Sequence, residues 1–309
     1  MAFAFVFPGQ GSQSLGMMNG FDGLPVVRHT FDEASEALGT DLWAMLGAES
    51  ADAINATVNT QPIMLAAGVA TYLAWQELGG VQPSAVAGHS LGEYTALVCA
   101  GALPFAEAIR LVRVRAEAMQ DAVPAGVGAM AAILGLSDED IRAACMEAAA
   151  GEVVEPVNFN SPGQVVIAGN QAAVERAMAL CKDKGAKRAL PLPVSVPSHC
   201  ALMRPAADKL AAALDAVHIN PPAIPVLHNA DVAAYSDPAA IRDALTRQLF
   251  SPVRWTETVQ KLAADGLPLM AECGPGKVLA GLGKRIDASV RCLALTDRAA
   301  LEAARAELV

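Results

Sequence analysis

The serine in AVAGHSLGEYTAL (85–97) stands between Gly88 and Gly92, directly after a run of small apolar residues. A Gly-x-Ser-x-Gly arrangement between a strand and a helix describes a sharp turn that exposes the serine Oγ. Such a turn also aims the next helix's unpaired amides at developing negative charge, which is what nucleophilic acyl chemistry requires. With 25 glycines in 309 residues, a match arises by chance roughly 0.08 times per chain, so the spacing has weight only in the right setting. SAVAG (84–88) reads as a short buried strand and LGEYTALVCAG (91–101) as a helix, which supplies that setting. A glycine-eased turn without chemistry is the weaker alternative.

An unassisted serine hydroxyl is a weak nucleophile and needs a base within hydrogen-bond reach. Five histidines compete for the role. His89 adjoins Ser90, but neighbours across a sharp turn point apart, so it reads as a packing or orienting residue. His29 and His218 lie in amphipathic or loop surroundings that suggest surface. His199, in VSVPSHCALM, follows a strand and two helix-breaking prolines and is placed to reach across a cleft. His228, in VLHNAD, ends an apolar strand and stays open as the alternative.

A third candidate is a charge where none is expected. On a helical wheel over 104–121, Arg110, Arg113, Glu117 and Asp121 gather on one face, and Ala108, Leu111, Val112, Ala118 and Met119 lie opposite. Arg115 falls among the apolar residues. A buried guanidinium is costly unless paired, so either a protein carboxylate or a ligand carboxylate is expected to meet it.

These residues must be held by a chain that is 53% hydrophobic, 17% charged and of net charge −10. Such a chain buries about three quarters of its unfolded surface. The acidic balance argues against nucleic acid as a partner. Six cysteines without a Cys-x-x-Cys pair, and no histidine at metal spacing, suggest neither zinc nor a disulfide framework, and a reducing cytoplasm fits them best. The opening MAFAFVFPGQ lacks the basic region of a signal peptide, and the apolar run 63–75 is too short to span a bilayer and reads as a buried helix.

Along the chain, AFAFVF (2–7) predicts a first strand running into a glycine-rich turn, FPGQGSQ (7–13), whose bare amides can face a ligand. Helices are predicted at 26–38 and 61–78. Between about 127 and 193 the order changes to strand, helix capped by Ser137, strand, strand, helix ended by Gly185, strand. This is βαββαβ, the split-βαβ unit of ferredoxin-like folds. We therefore read 126–195 as an inserted small subdomain, with 1–125 and 196–309 forming the larger core. Strands PVLHN (225–229) and PLMAEC (268–273) return the chain to that core.

Several stretches together resemble one family, the malonyl-CoA:acyl carrier protein transacylases, related to the acyltransferase domains of polyketide synthases. They are FPGQGSQ, TQP (60–62), GHSLGEYTAL (88–97), VRVRAEAMQ (112–120), NFNSPGQVVIAG (158–169), VPSHCALM (196–203), QLFSPVRW (248–255) and ECGPGKVL (272–279), and they cover the chain nearly end to end in family order. The resemblance implies an α/β-hydrolase-like core with a parallel sheet, carrying the ferredoxin-like subdomain. It implies a Ser90–His199 dyad, with the main-chain carbonyl of Gln248 orienting the ring in place of an acid. It further implies that the amides of Gln10 and Leu91 form an oxyanion hole, that Arg115 pairs with the malonyl carboxylate, and that Gln61, His89 and Asn160 line the cleft. No cofactor or metal is implied. The substrate is malonyl-CoA, the phosphopantetheine belongs to the partner, and the enzyme is expected to be a cytoplasmic monomer with no membrane partner. Because acyl carrier proteins are acidic, a basic rim is expected for docking. Lys187 and Arg188, with Lys182 and Lys184 nearby, offer one candidate patch, and Lys284 and Arg285, with Lys277, offer another. The other readings left open are an acyltransferase serving a polyketide pathway in trans, a serine thioesterase or hydrolase, and a noncatalytic carrier-binding module.

Overall fold

A computed structural model of the protein describes residues 2–124, 126–194 and 196–308. Residues 1, 125, 195 and 309, at which sequence-drawn domain limits fall, lie outside the described residues. The chain opens with strand β1 (Ala4–Phe7), helix α1 (Pro25–Leu38), the short α2 (Leu42–Leu46) and α3 (Asp52–Asn55), and the long α4 (Thr57–Glu77). Strand β2 (Ala85–Gly88) and helices α5 (Gly92–Cys99) and α6 (Phe105–Ala122) follow. Next come β3 (Gly128–Leu134), α7 (Asp138–Ala149), β4 (Val154–Ser161), β5 (Gln164–Asn170), α8 (Gln171–Asp183) and β6 (Arg188–Pro191). The chain closes with α9 (Arg204–Asp215), β7 (Val226–Leu227), α10 (Pro238–Gln248), α11 (Trp255–Ala264), β8 (Leu269–Glu272), α12 (Val278–Ile286), β9 (Arg291–Ala294) and α13 (Arg298–Leu308).

Two sheets organise these elements. The first has the order β7-β2-β1-β8-β9, and every pairing in it is parallel. Its central strand is apolar on both faces, as a strand covered by helices on both sides must be. Phe3, Phe5 and Phe7 face one layer, where the Phe5 ring stands edge-on to Tyr72 and Trp75 of α4. Ala4 and Val6 face the other, packing with Trp255 and Val259 of α11 and Leu279 and Leu282 of α12. Fifteen residues of α4 are buried, consistent with a helix apolar all round that lies inside a layer. The second sheet has the order β4-β5-β3-β6 and is antiparallel. Ala131, Ile133, Val165 and Ile167 face α7 and α8, and Met130, Val166 and Ala168 face the opposite way, towards Cys200. The small sheet is tied to the segment leading into α11 by main-chain bonds at Val253, whose N–H donates to Val157 O at 2.8 Å and whose carbonyl accepts from Phe159 N at 3.0 Å.

The fold is thus α/β with a parallel core and a βαββαβ unit, as the sequence predicts. Ser137 caps α7, accepting from Asp140 N. Strand β7 is only two residues long, where PVLHN suggested five. His228 and Asn229 leave the ladder because their polar groups are bonded elsewhere in the interior. Among the described residues no helix is long and apolar enough to cross a membrane.

Candidate active site

In open parallel sheets ligands bind outside the carboxyl ends of the strands. Here β1 delivers the Pro8-Gly9-Gln10 turn to that edge, β2 delivers Ser90, and β7 delivers His228 and Asn229. Ser90 has φ of 52°, a left-handed conformation costly to any non-glycine residue. The two flanking glycines make the turn sterically possible. A Cβ on Gly88 would lie 1.9 Å from the backbone of Gly92, and one on Gly92 would lie 2.1 Å from Phe7 O. The turn is pinned by Asn229, whose Oδ1 accepts from Ser90 N at 2.7 Å while its Nδ2 donates to Gly88 O at 2.6 Å.

Ser90 Oγ lies 2.8 Å from His199 Nε2, and His199 Nδ1 lies 2.8 Å from Gln248 O. A carbonyl can only accept, so Nδ1 carries the hydrogen and Nε2 presents its lone pair to the hydroxyl. His199 is itself left-handed, with φ of 67°, and 3% exposed. Burial pushes its pKa down to about 3, with the nearby Arg115 charge adding to the effect against the opposing Gln248 bond. The imidazole is therefore a neutral acceptor across the physiological range. Between the two histidines that the sequence left open, the structure brings His199 to Ser90 and turns His228 away, Nδ1 to Glu93 Oε1 at 2.7 Å. His29 and His218 are exposed.

Arg115 is 1% exposed and lies on α6. Its Nη1 donates to Gln61 Oε1 at 2.8 Å, and its Nη2 donates to Gln248 Oε1 at 3.0 Å and to Ser90 Oγ at 3.2 Å. The Tyr94 ring stacks against it, 5.4 Å from guanidinium carbon to centroid. All these partners are neutral. Burial draws the pKa of Arg115 below the usual arginine value, yet arginine starts so high that the group stays cationic. The site therefore holds a desolvated positive charge 3.2 Å from the serine oxygen.

A cavity of about 140 Å³ opens on these groups, lined by Gln10, Gln61, His89, Ser90, Leu91, Arg115 and His199. Apolar Met119, Met130, Leu192, Val194 and Val196 complete much of the wall. One expected lining residue is displaced: the lining residue of β4 is Asn158, and Asn160 instead meets His89 Nε2 through Oδ1 at 2.8 Å. With its ring desolvated beside Trp255, His89 has a lowered pKa and serves this bond. Gln248 stands behind the dyad rather than on the cavity wall. Lys187, Arg188, Lys284 and Arg285 are all exposed and outside the cavity.

Sequence reasoning missed the buried layer beneath Ser90. Glu93 is fully buried, its Oε2 accepting from Asn229 N at 2.9 Å and Gln248 Nε2 at 2.9 Å. Gln248 Nε2 also donates to Ser90 O at 3.0 Å. The available signal was an acid in the apolar helix 91–101, the same kind of misplaced charge that drew attention to Arg115.

A parallel α/β core with a strained serine at a strand-to-helix turn, a neutral histidine on its Oγ and a buried cation beside it is an arrangement suited to nucleophilic acyl transfer. Comparison with known proteins agrees. The chain belongs to the acyl transferase domain family, whose model matches residues 4–290. It is 59% identical over 303 residues to the malonyl CoA-acyl carrier protein transacylase of Escherichia coli (strain K12), covering 98% of each chain. Against the protein of the same name from Bacillus subtilis (strain 168) the identity is 44%, covering 97% of this chain and 95% of that one. Among solved structures, an acyl carrier protein S-malonyltransferase from Vibrio cholerae O1 biovar eltor superposes with a TM-score of 0.97 at 59% identity, over 98% of this chain and 100% of that one. A malonyl-transacylase in complex with a type II PKS acyl-carrier protein superposes with a TM-score of 0.98 at 56% identity, over 99% and 100% of the respective chains.

Proposed function

We propose that this protein moves the malonyl group from malonyl-CoA to the phosphopantetheine thiol of an acyl carrier protein, through a malonyl-Ser90 intermediate, in the cytoplasm. The reaction supplies extender units for fatty acid synthesis. The observation that carries the reading is Arg115: among the described residues no carboxylate forms an ion pair with it, and its guanidinium stands at the nucleophile inside the cavity. A cation kept buried without an anion is suited to a substrate that brings its own, and a planar fork favours a carboxylate.

The steps follow from the same geometry. His199 Nε2 takes the Ser90 proton as Oγ attacks the thioester carbonyl carbon, and the oxyanion meets the amides of Gln10 and Leu91. The carbon–sulfur bond then breaks, the proton passes from His199 to the leaving CoA sulfur, and malonyl-Ser90 remains. The carrier thiol enters the vacated place, gives its proton to His199 and attacks the ester. Collapse returns the proton to Ser90 Oγ.

Carrier docking falls to the exposed basic residues, and their placement supports treating them as one surface. Arg285 Nη1 donates to Gln164 Oε1 at 3.2 Å, Gln164 pairs with Leu134, and Leu134 pairs with Arg188. At about 4.8 Å per strand, Gln164 and Arg188 are about 10 Å apart. Two patches distant in sequence therefore meet at one end of the small sheet. Residues on the same sheet face, Met130 and Leu192, lead from there into the cavity.

Incubation with radiolabelled malonyl-CoA, followed by peptide mapping and a chase with holo carrier protein, tests the whole reading. Label is expected on the Ser90 peptide and then on the carrier. Release as free malonate with none on the carrier would instead indicate a hydrolase.

A further inference from the structure

We propose that Glu93 is a positioning residue for the transfer reaction. It fixes the Gln248 amide in the orientation that offers Arg115 an acceptor, so the guanidinium stays aimed at the cavity without being neutralised. This inference rests on the reading of Arg115 as the carboxylate anchor.

The case is one of donor and acceptor arithmetic in a buried network. The Gln248 side-chain nitrogen lies between two acceptors, Glu93 Oε2 at 2.9 Å and Ser90 O at 3.0 Å. With both of its hydrogens spent there, the side-chain oxygen must point the other way, where it accepts from Arg115 Nη2 at 3.0 Å. Were the amide turned over, an N–H would face the guanidinium and a carbonyl would face the carboxylate, two repulsive contacts where there are now two charge-assisted bonds. Glu93 thus decides which end Arg115 meets. Its carboxylate is itself held by His228 Nδ1 at 2.7 Å and Asn229 N at 2.9 Å, and all four residues are at most 1% exposed.

The amide between Glu93 and Arg115 matters as much as the acid. A carboxylate placed directly on the guanidinium would form a closed ion pair and compete with an acyl carboxylate for the same N–H edge. Through one neutral amide, Glu93 orients Arg115 without setting a charge on it, and the guanidinium N–H groups that Gln61, Gln248 and Ser90 do not use stay uncommitted. The same Gln248 gives its main-chain carbonyl to His199 Nδ1, so one residue supports both the base and the selectivity cation.

The test reads a ratio that general loosening of the fold would not move. Loading of Ser90 is measured from malonyl-CoA and from acetyl-CoA for the wild type, Glu93→Gln, Gln248→Met and the double variant. The glutamine at 93 removes the charge that demands the Gln248 N–H, and the methionine removes the amide while keeping the 248 main-chain carbonyl. The malonyl-to-acetyl ratio of kcat/KM is expected to fall about tenfold or more in each single variant, the size of one lost hydrogen bond to a charged group. The double variant is expected to fall no further than Gln248→Met alone, because both changes act through one amide. If the two donors fall equally in folded Glu93→Gln, or the ratio is unchanged, the proposal is overturned. Should Glu93→Gln not fold, an unchanged ratio in Gln248→Met overturns it as well. Failure of the wild type to load malonyl at all would instead remove the underlying reading of Arg115.

Discussion

Replacing Arg115 by alanine separates the two roles a buried guanidinium can have. In the free protein Arg115 donates to Gln61, Gln248 and Ser90, all neutral. If those bonds were its purpose, the variant would be destabilised and every acyl donor would suffer alike. If it anchors an acyl carboxylate, that anion's partner is lost in a sheltered site, and truncating one member of a buried charge pair costs about 2–5 kcal/mol. Divided by about 1.4 kcal/mol per decade, this is a fall of roughly 30- to 4,000-fold in kcat/KM for malonyl-CoA. Acetyl-CoA has no carboxylate to lose and forfeits at most the 3.2 Å contact to Ser90 Oγ, a weak bond with an effect of about tenfold or less. Removing the cation also relieves one of the forces holding the His199 pKa down. At neutral pH this changes nothing, because the ring is already uncharged. Arg115→Lys should rescue malonyl poorly, since an ammonium cannot present two parallel N–H groups. Single-turnover loading of Ser90, followed by intact mass for each donor, measures all of this. Equal losses for malonyl and acetyl would refute the anchoring role and leave Arg115 structural.

Ser90→Ala is expected to abolish covalent loading, and His199→Ala to lower its rate by at least the ~10²-fold typical of a general base. Rapid-quench labelling checks both. With the His199 pKa depressed to about 3, kcat/KM for loading should show no acidic limb between pH 7.5 and 5.5, and a limb near the ordinary histidine value of about 6.5 would contradict the assigned environment. The same shift bears on stability. Between about pH 6.5 and 3 the unfolded chain binds a proton that folded His199 does not, so stability should fall as pH drops through that window, by up to about 1.4 kcal/mol per pH unit for this group. Urea midpoints measured at pH 7 and pH 5 in wild type and in a folded His199→Gln read that contribution. Charge reversal of Lys187 with Arg188, or of Lys284 with Arg285, to glutamate should raise KM for carrier protein and leave malonyl loading from CoA nearly unchanged. The effect should fade with salt as the Debye length shortens to about 8 Å, and unaltered carrier kinetics in both double variants at low salt would place docking elsewhere.

The sequence displayed those parts of the fold whose signals are local. The strand-turn-helix around Ser90, the buried helix over 63–75 and the alternating segments of the small sheet each depend on contacts within a few residues. Arg115 was visible because a charge on an apolar helix face breaks the periodicity around it. His199 and His228 could not be ranked by periodicity, since both sit where an apolar strand or a proline-rich loop ends. The choice between them depends on a 2.8 Å contact across 109 positions. Asn160 was expected on the cavity wall, but Asn158, two residues earlier on β4, holds that place. The register of β4 against β5 shifts between Phe159 and Ser161, so the alternation of the pleat breaks at Asn160, and hydrophobic pattern does not show such a break. The buried layer of Glu93, His228, Asn229 and Gln248 joins residues 135 to 155 positions apart through polar bonds, and hydrophobic pattern has nothing to say about polar partners.

That layer also gives a physical reason why a carbonyl, rather than a carboxylate, stands behind His199. An acid on Nδ1 would stabilise the imidazolium, but it would add a second carboxylate beside Ser90 and Arg115, beyond the one that Glu93 holds behind the Gln248 amide. In a desolvated pocket the guanidinium would then be satisfied from within the protein, and the attraction for an incoming carboxylate would shrink accordingly. The Gln248 carbonyl fixes the tautomer with a dipole instead of a charge. The cost of burying the dyad beside Arg115 is a weakly basic histidine, with its pKa at about 3. That cost is tolerable for thioester chemistry, in which the leaving and entering groups are thiols that exchange protons readily. Attack by Ser90 also gains from a turn that is already strained at φ of 52° and from a helix N-terminus facing the developing oxyanion. On the proposed reading, selectivity for an acyl carboxylate and the absence of a third catalytic acid are two consequences of the same electrostatic arrangement: one cation is kept without an ion pair, and every group that hydrogen-bonds it directly is neutral.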